Sequence, residues 1–221
     1  MLLPLASEPY TAPVDRDMVP SERREFVRTH RTCVFGYRRR NDGPAMSVVY
    51  YIPTDTDELL VATMEGRGKA KVIGRDGKIS LCILDEHWPF TYLQVYADAT
   101  LDRDRDLAVD VMMAVAGRMS GEPLGEEARP HVQAMCEREN RIVIRCRPYA
   151  TFATPPRHLH RNDQVEQLTH WVSGVVPWDA ADPALRTDQL LRGYVRAKRS
   201  RSLASVASMP DALVFRAPIR L

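Results

Sequence analysis

Between residues 41 and 101 the strand-forming runs follow one another too closely for a doubly wound sheet. Residues 44–52, 58–64, 78–84 and 91–101 are rich in Val, Ile, Leu, Tyr and Thr and read as strands. Parallel neighbours need a crossover of a dozen or more residues, usually a helix. Only the stretch after Met64 holds a helical piece, and it is short. Asn41-Asp42-Gly43 is a hairpin signal that joins an earlier apolar run, residues 32–37, to the first of these strands. A polar turn at residues 55–57 makes the next reversal. A sixth strand is expected at residues 141–152, ended by Thr154-Pro155-Pro156. The pattern predicts a mainly β protein of α+β type: a six-stranded antiparallel barrel with peripheral helices.

Helices are expected at three further places. Residues 20–29 open with Pro20 and Ser21 and are amphipathic. Residues 107–119 place Ala108, Met112, Val115 and Met119 on one face, and residues 126–139 do the same with Ala128, Val132, Met135 and Cys136. Residues 1–18 carry Pro4, Pro9 and Pro13 without a period and read as an extended arm. Residues 19–157 read as the barrel domain. Residues 158–221 form an extension of different texture, with a helix expected near 183–199 and an apolar strand-like piece at 212–215. Trp171 and Trp178 in that extension are expected to pack on the barrel or on a partner subunit.

With 221 residues and 44% hydrophobic content the chain can bury a full core. A net charge of +2 gives no global field that calls for nucleic acid. The basic run at residues 196–201 reads as a solvated helix end, and the Arg38-Arg39-Arg40 run as a solvated strand end. No run approaches the roughly 18 apolar residues of a membrane span. The first six residues are apolar but without the basic region and the apolar length of a signal peptide, so none is expected. Cys33, Cys82, Cys136 and Cys146 are dispersed and read as reduced thiols, which fits a cytoplasmic location. His158 and His160 lack a neighbouring ligand set and are not read as a metal site. Trp88 reads as a loop anchor. No Ser/His/Asp or Cys/His arrangement stands out, so no catalytic residue is assigned.

The cations are more telling. Lysine occurs only at 69, 71, 78 and 198, and two of the four stand within one short helix start, Glu65-Gly66-Arg67-Gly68-Lys69-Ala70-Lys71. A strand ending in Thr63, followed by a glycine-punctuated basic helix start, can seat a phosphate. Backbone N–H groups and side-chain cations would converge on it.

In their order and spacing these pieces resemble the pyridoxamine 5′-phosphate oxidase-like superfamily of split β-barrels that bind flavins and deazaflavins. The matching segments are residues 30–37, Asp42-Gly43-Pro44, residues 47–50, 58–63, 66–71, 76–81 and 92–101. The resemblance implies a homodimer with the cofactor at the subunit interface and a hydride passed to or from a small organic substrate. FMN is the implied cofactor, with the deazaflavin coenzyme (factor 420) as the alternative. A non-catalytic flavin, deazaflavin or haem binder is the alternative function. Carried over by position, Ala62 and Thr63 match the strand-end pair and Lys69 the phosphate-binding lysine, with Arg67 and Lys71 beside it. Ser47, Val48 and Val49 match the segment along the ring system, and Gln94 a glutamine that approaches it. The chain departs from the oxidase branch at Gly68-Lys69, where an Arg-Lys pair is usual, and it lacks that branch's Arg-x-His ending.

Overall fold

The structure, a computed structural model, describes residues 1–4, 8–11, 17–85, 87, 91–153 and 174–183. Met1–Asp182 form one compact unit, to which all of the following belongs; the second, Pro183–Leu221, lies outside the described residues apart from its first. In chain order the elements are α1 (Pro20–Thr29), β1 (Thr32–Tyr37), β2 (Ala45–Tyr50), β3 (Ile52–Pro53), β4 (Leu59–Met64), α2 (Gly68–Ile73), β5 (Lys78–Asp85) and β6 (Thr91–Asp102). There follow α3 (Arg105–Ser120), a 3-10 turn (Glu126–Ala128), α4 (Arg129–Arg138), β7 (Arg141–Ala153) and β8 (Val175–Pro177).

All the strands among the described residues belong to one antiparallel sheet, ordered β2-β1-β5-β6-β7-β4-β3, with β8 also on β7. The end strands of that order, β2 and β3, are separated in the chain by Tyr51 alone. One segment therefore bonds to β1 before Tyr51 and to β4 after it, so the curled sheet is closed covalently at that residue. Tyr51 is fully buried and its hydroxyl donates to the Val27 carbonyl at 2.7 Å, which pins the crossing to α1. Away from Tyr51, β2 and β4 share no ladder, and the barrel is split there.

Alternation along the strands builds the core. Phe35, Leu81, Ile83, Leu93, Val95 and Ile144 point inward and are fully buried, joined by Phe26 and Val27 of α1. Arg23 is buried beside them, with Nε donating to the Met18 carbonyl at 3.0 Å and Nη2 to Asp17 at 2.9 Å. On the opposite side α3 packs Ala108, Val111 and Val115 against Ile52, Leu60 and Val143. Its other flank, Val109 and Met113, meets Val132 and Cys136 of α4.

Two expectations change. Among the described residues the sheet has eight strands where six were expected, the two additional ones being only two and three residues long. Tyr51 splits the expected residue 44–52 run and yields β3, and the three-residue β8 exists only because β7 offers it an edge. The face expected for α3 is also revised: Val109, Val111 and Met113 are buried while Met119 is 64% exposed. The helix lies between the sheet and α4, so it buries two flanks where a one-sided amphipathic pattern describes one. Trp178 does pack against the barrel core, with its indole N–H on Asp57 at 3.3 Å. Trp88, Trp171, His158, His160, the basic run at 196–201 and the elements expected near 183–199 and 212–215 lie outside the described residues. No helix among the described residues is long and apolar enough to cross a membrane.

Candidate functional site

The split of the barrel contains a cleft of about 380 Å³. Its walls are Tyr37 from β1, Ser47 from β2, Thr63 from β4, Arg67 and Lys69 around the start of α2, and Arg141 from β7. Turn chemistry and strand register bring them there. Period-2 alternation turns Thr63 into the cleft, while its neighbour Ala62 faces the cluster under α3. The turn after β4 is held by the Glu65 carboxylate, which accepts from Arg103 Nε at 2.6 Å and Asn140 Nδ2 at 2.9 Å. Those contacts hold the Glu65 carboxyl below its usual range. The Arg67 N–H then donates to the Met64 carbonyl at 3.0 Å, and α2 begins. Arg141 enters because β7 pairs with β4 in the register Met64↔Arg141.

The electrostatics of the cleft are one-sided. Lys69 is half-buried, with Nζ 5.5 Å from the centre of the Phe35 ring, and no carboxylate pairs with it among the described residues. Burial pulls its ammonium below its ordinary pKa; Cys33 opposes this and the charge of Arg67 adds to it. Arg141 is paired with Glu139 at 2.6 Å. The Ser47 hydroxyl is buried with no hydrogen-bond partner. Buried hydroxyls and ammonium groups without partners are costly. An anionic occupant rich in acceptor oxygens would satisfy both, so the residues present fit a phosphate group.

Gly68 has a structural reason here. A Cβ at this position would come within 3.2 Å of the Tyr37 hydroxyl. The glycine thus lets that hydroxyl sit against α2, where the oxidase branch carries the first cation of its pair.

The other residues implied by the resemblance stand elsewhere. Val49 faces inward and packs on the core, and Lys71 is exposed on α2 outside the cleft. Val48, 74% exposed, lies on the outward face of the sheet. So does half-buried Gln94, in a row that runs Val48, Val34, Cys82, Gln94, Phe152, Val175. Tyr37 and Arg141 were not anticipated: Arg141 joins the site through the distant β4–β7 pairing, and Tyr37 through its hydroxyl set against Gly68 across the split. All four cysteines are free, and burial pushes the Cys33 thiol up to about 12. Among the described residues no group of His, Cys, Asp or Glu is placed to hold a metal.

No curated protein matches the chain. Among solved structures, it is similar to a conserved hypothetical protein from Mycobacterium tuberculosis, with a TM-score of 0.56 and 21% identity over 68% of this chain and 96% of that one. A heme binding protein from Mycobacterium smegmatis aligns with a TM-score of 0.50 and 11% identity, over 74% of this chain and 60% of that one. A protein described as F420 reductase aligns with a TM-score of 0.43 and 20% identity, over 55% of this chain and 88% of that one. At such identities the likeness concerns the fold alone. The sequence model of one family, described as pyridoxamine 5′-phosphate oxidase, matches residues 19–148, more than half of the chain.

Proposed function

The chain belongs to the pyridoxamine 5′-phosphate oxidase family, and from that premise we propose that its cleft seats the phosphate of a flavin-type cofactor, FMN first. The protein is then a flavin-type oxidoreductase acting on a small organic substrate. The observation that carries this reading is half-buried Lys69, which no carboxylate meets among the described residues, beside the unpartnered Ser47 hydroxyl. Lys69 and Arg67 supply positive charge, and Ser47 supplies a hydroxyl. When bound, FMN supplies hydride chemistry, and the chain's residues bind and orient it. The deazaflavin coenzyme also carries a phosphate and is the second candidate.

Val48 and Gln94 lie on the outward sheet face, so they enter the reading through a second copy of the chain. A homodimer with its cofactor between the subunits would bring one copy's outward face to the other's cleft. A binder without turnover is the second reading. It is favoured by the cleft side chains themselves, since Tyr37, Ser47, Thr63, Arg67, Lys69 and Arg141 include no carboxyl or imidazole to move a proton near neutrality.

The test is titration of FMN and riboflavin into wild-type protein and Lys69→Ala. A charge-assisted hydrogen bond contributes about 1.5–3 kcal/mol, so FMN binding should weaken roughly ten- to a hundredfold. Riboflavin, which has no phosphate, should respond little. Equal losses for both would remove the phosphate from this cleft. Turnover of the bound cofactor by an external reductant then separates enzyme from binder.

A further inference from the structure

At the other end of β1, roughly 16 Å from the cleft at about 3.3 Å per residue, lies a second and larger cavity. Its volume is about 790 Å³, and its walls include His30, Tyr50, Leu84, Asp85, Arg118 and Met119. Arg118 is 2% exposed, and its Nη1 donates to the His30 carbonyl at 3.2 Å. Its Nη2 is buried with no acceptor, and no carboxylate pairs with the guanidinium among the described residues. An arginine cannot shed its charge as a buried lysine can. A buried guanidinium without an anion is therefore an unfinished contact.

His30 completes the pattern. It is 7% exposed and its ring stacks on Phe26 with centroids 3.9 Å apart. Nδ1 lies 2.7 Å from the Phe26 carbonyl, which can only accept, so Nδ1 carries the proton. Nε2 is left as a lone pair facing no donor. The buried Asp85 carboxylate turns Oδ2 towards Nε2 at 3.9 Å, too far for a hydrogen bond, while its Oδ1 accepts from the His87 backbone N–H at 3.0 Å and lies 2.7 Å from His87 Nδ1. The cavity thus offers a cation and a hydrogen-bond acceptor side by side, with Tyr50, Leu84 and Met119 as apolar wall. Arg31 also lines the cavity, so two guanidinium groups stand against the Asp85 carboxylate, a balance that suits a singly charged carboxylate better than a phosphate dianion.

We infer that this cavity binds an organic hydroxycarboxylate, its carboxylate on Arg118 and its hydroxyl donating to His30 Nε2. The apolar body lies against Tyr50, Leu84 and Met119. The cavity is separate from the cleft, so the test needs no cofactor.

Full-length protein labelled with ¹⁵N-histidine is titrated with mandelate and with lactate, the smallest member of the class. Phenylacetate, which lacks the hydroxyl, and mandelamide, which lacks the charge, serve as controls. Mandelate or lactate should shift the His30 Nε2 resonance saturably at millimolar concentration and raise the thermal midpoint. Phenylacetate should bind about tenfold more weakly, as expected for one lost hydrogen bond, and mandelamide should leave His30 unmoved. Arg118→Met should abolish the response. The inference fails if neither hydroxycarboxylate shifts His30, if mandelamide or phenylacetate matches mandelate, or if folded Arg118→Met still binds. The wild-type series decides the matter even if that variant does not fold.

Discussion

Single side chains in this protein are left wanting partners, and that sets their behaviour. The Ser47 hydroxyl is buried without a partner. Removing an unsatisfied buried group is neutral or stabilising by about 1 kcal/mol, so Ser47→Ala should hold or raise the thermal midpoint of the free protein. The same change should weaken FMN binding, and calorimetry on both quantities checks the split. His30 gives a pH dependence. Burial lowers its pKa from the ordinary imidazole value of 6.5, against smaller opposing contributions from the Phe26 carbonyl and Asp85. As pH falls through that value the unfolded chain takes up the proton first, so folding is opposed. Its contribution is intact above pH 6.5 and is lost on acidification towards the lower folded-state pKa. His30→Gln should flatten this part of the stability profile, measured by thermal unfolding from about pH 7.5 to about pH 5. At this scale the sequence showed the cluster of Lys69 and Arg67 beside Thr63, because it is local. Arg141 was illegible, because only the β4–β7 register brings it next to Met64, and Tyr37 because its hydroxyl meets Gly68 only across the split of the folded barrel.

Elements were more legible than sites, since hydrophobic period and turn chemistry act over a few residues. The run at residues 32–37 is β1 to the residue, and that at 20–29 is α1. The two errors share a cause, which is that tertiary context decides between local options. Tyr51 ends one ladder and starts another because its ring is buried and its hydroxyl bonds Val27. The β8 strand follows Gly174 and ends at Pro177, and nothing in so short a run announces an edge. Capping, by contrast, is written locally. The Asp104 side chain accepts from the N–H groups of Asp106 and Leu107, and Gly121 at φ 86° ends α3 in the left-handed region. Loss of such an N-cap costs about 1 kcal/mol, so Asp104→Ala should lower stability in urea by that amount while leaving FMN affinity unchanged.

At the scale of the whole molecule, the outward sheet face is the unfinished surface. Met46 is 70% exposed, Val48 74% and Val175 63%, on a face that also carries Val34, Cys82 and Phe152. We expect this face to pair two copies, burying more than the ~1,600 Å² of a standard interface. Sedimentation should report a dimer at micromolar concentration, and Val48→Glu should yield a folded monomer with weakened FMN binding. A wild-type monomer would overturn the expectation. A different consequence follows from β8. The chain leaves β7 at Ala153 and returns as Val175 opposite Phe152, so the two ends of the intervening stretch are neighbours in one ladder. Closing a chain segment costs only about 0.6 kcal/mol more for each doubling of its length, so this ladder fixes where the chain re-enters the sheet whatever the length between.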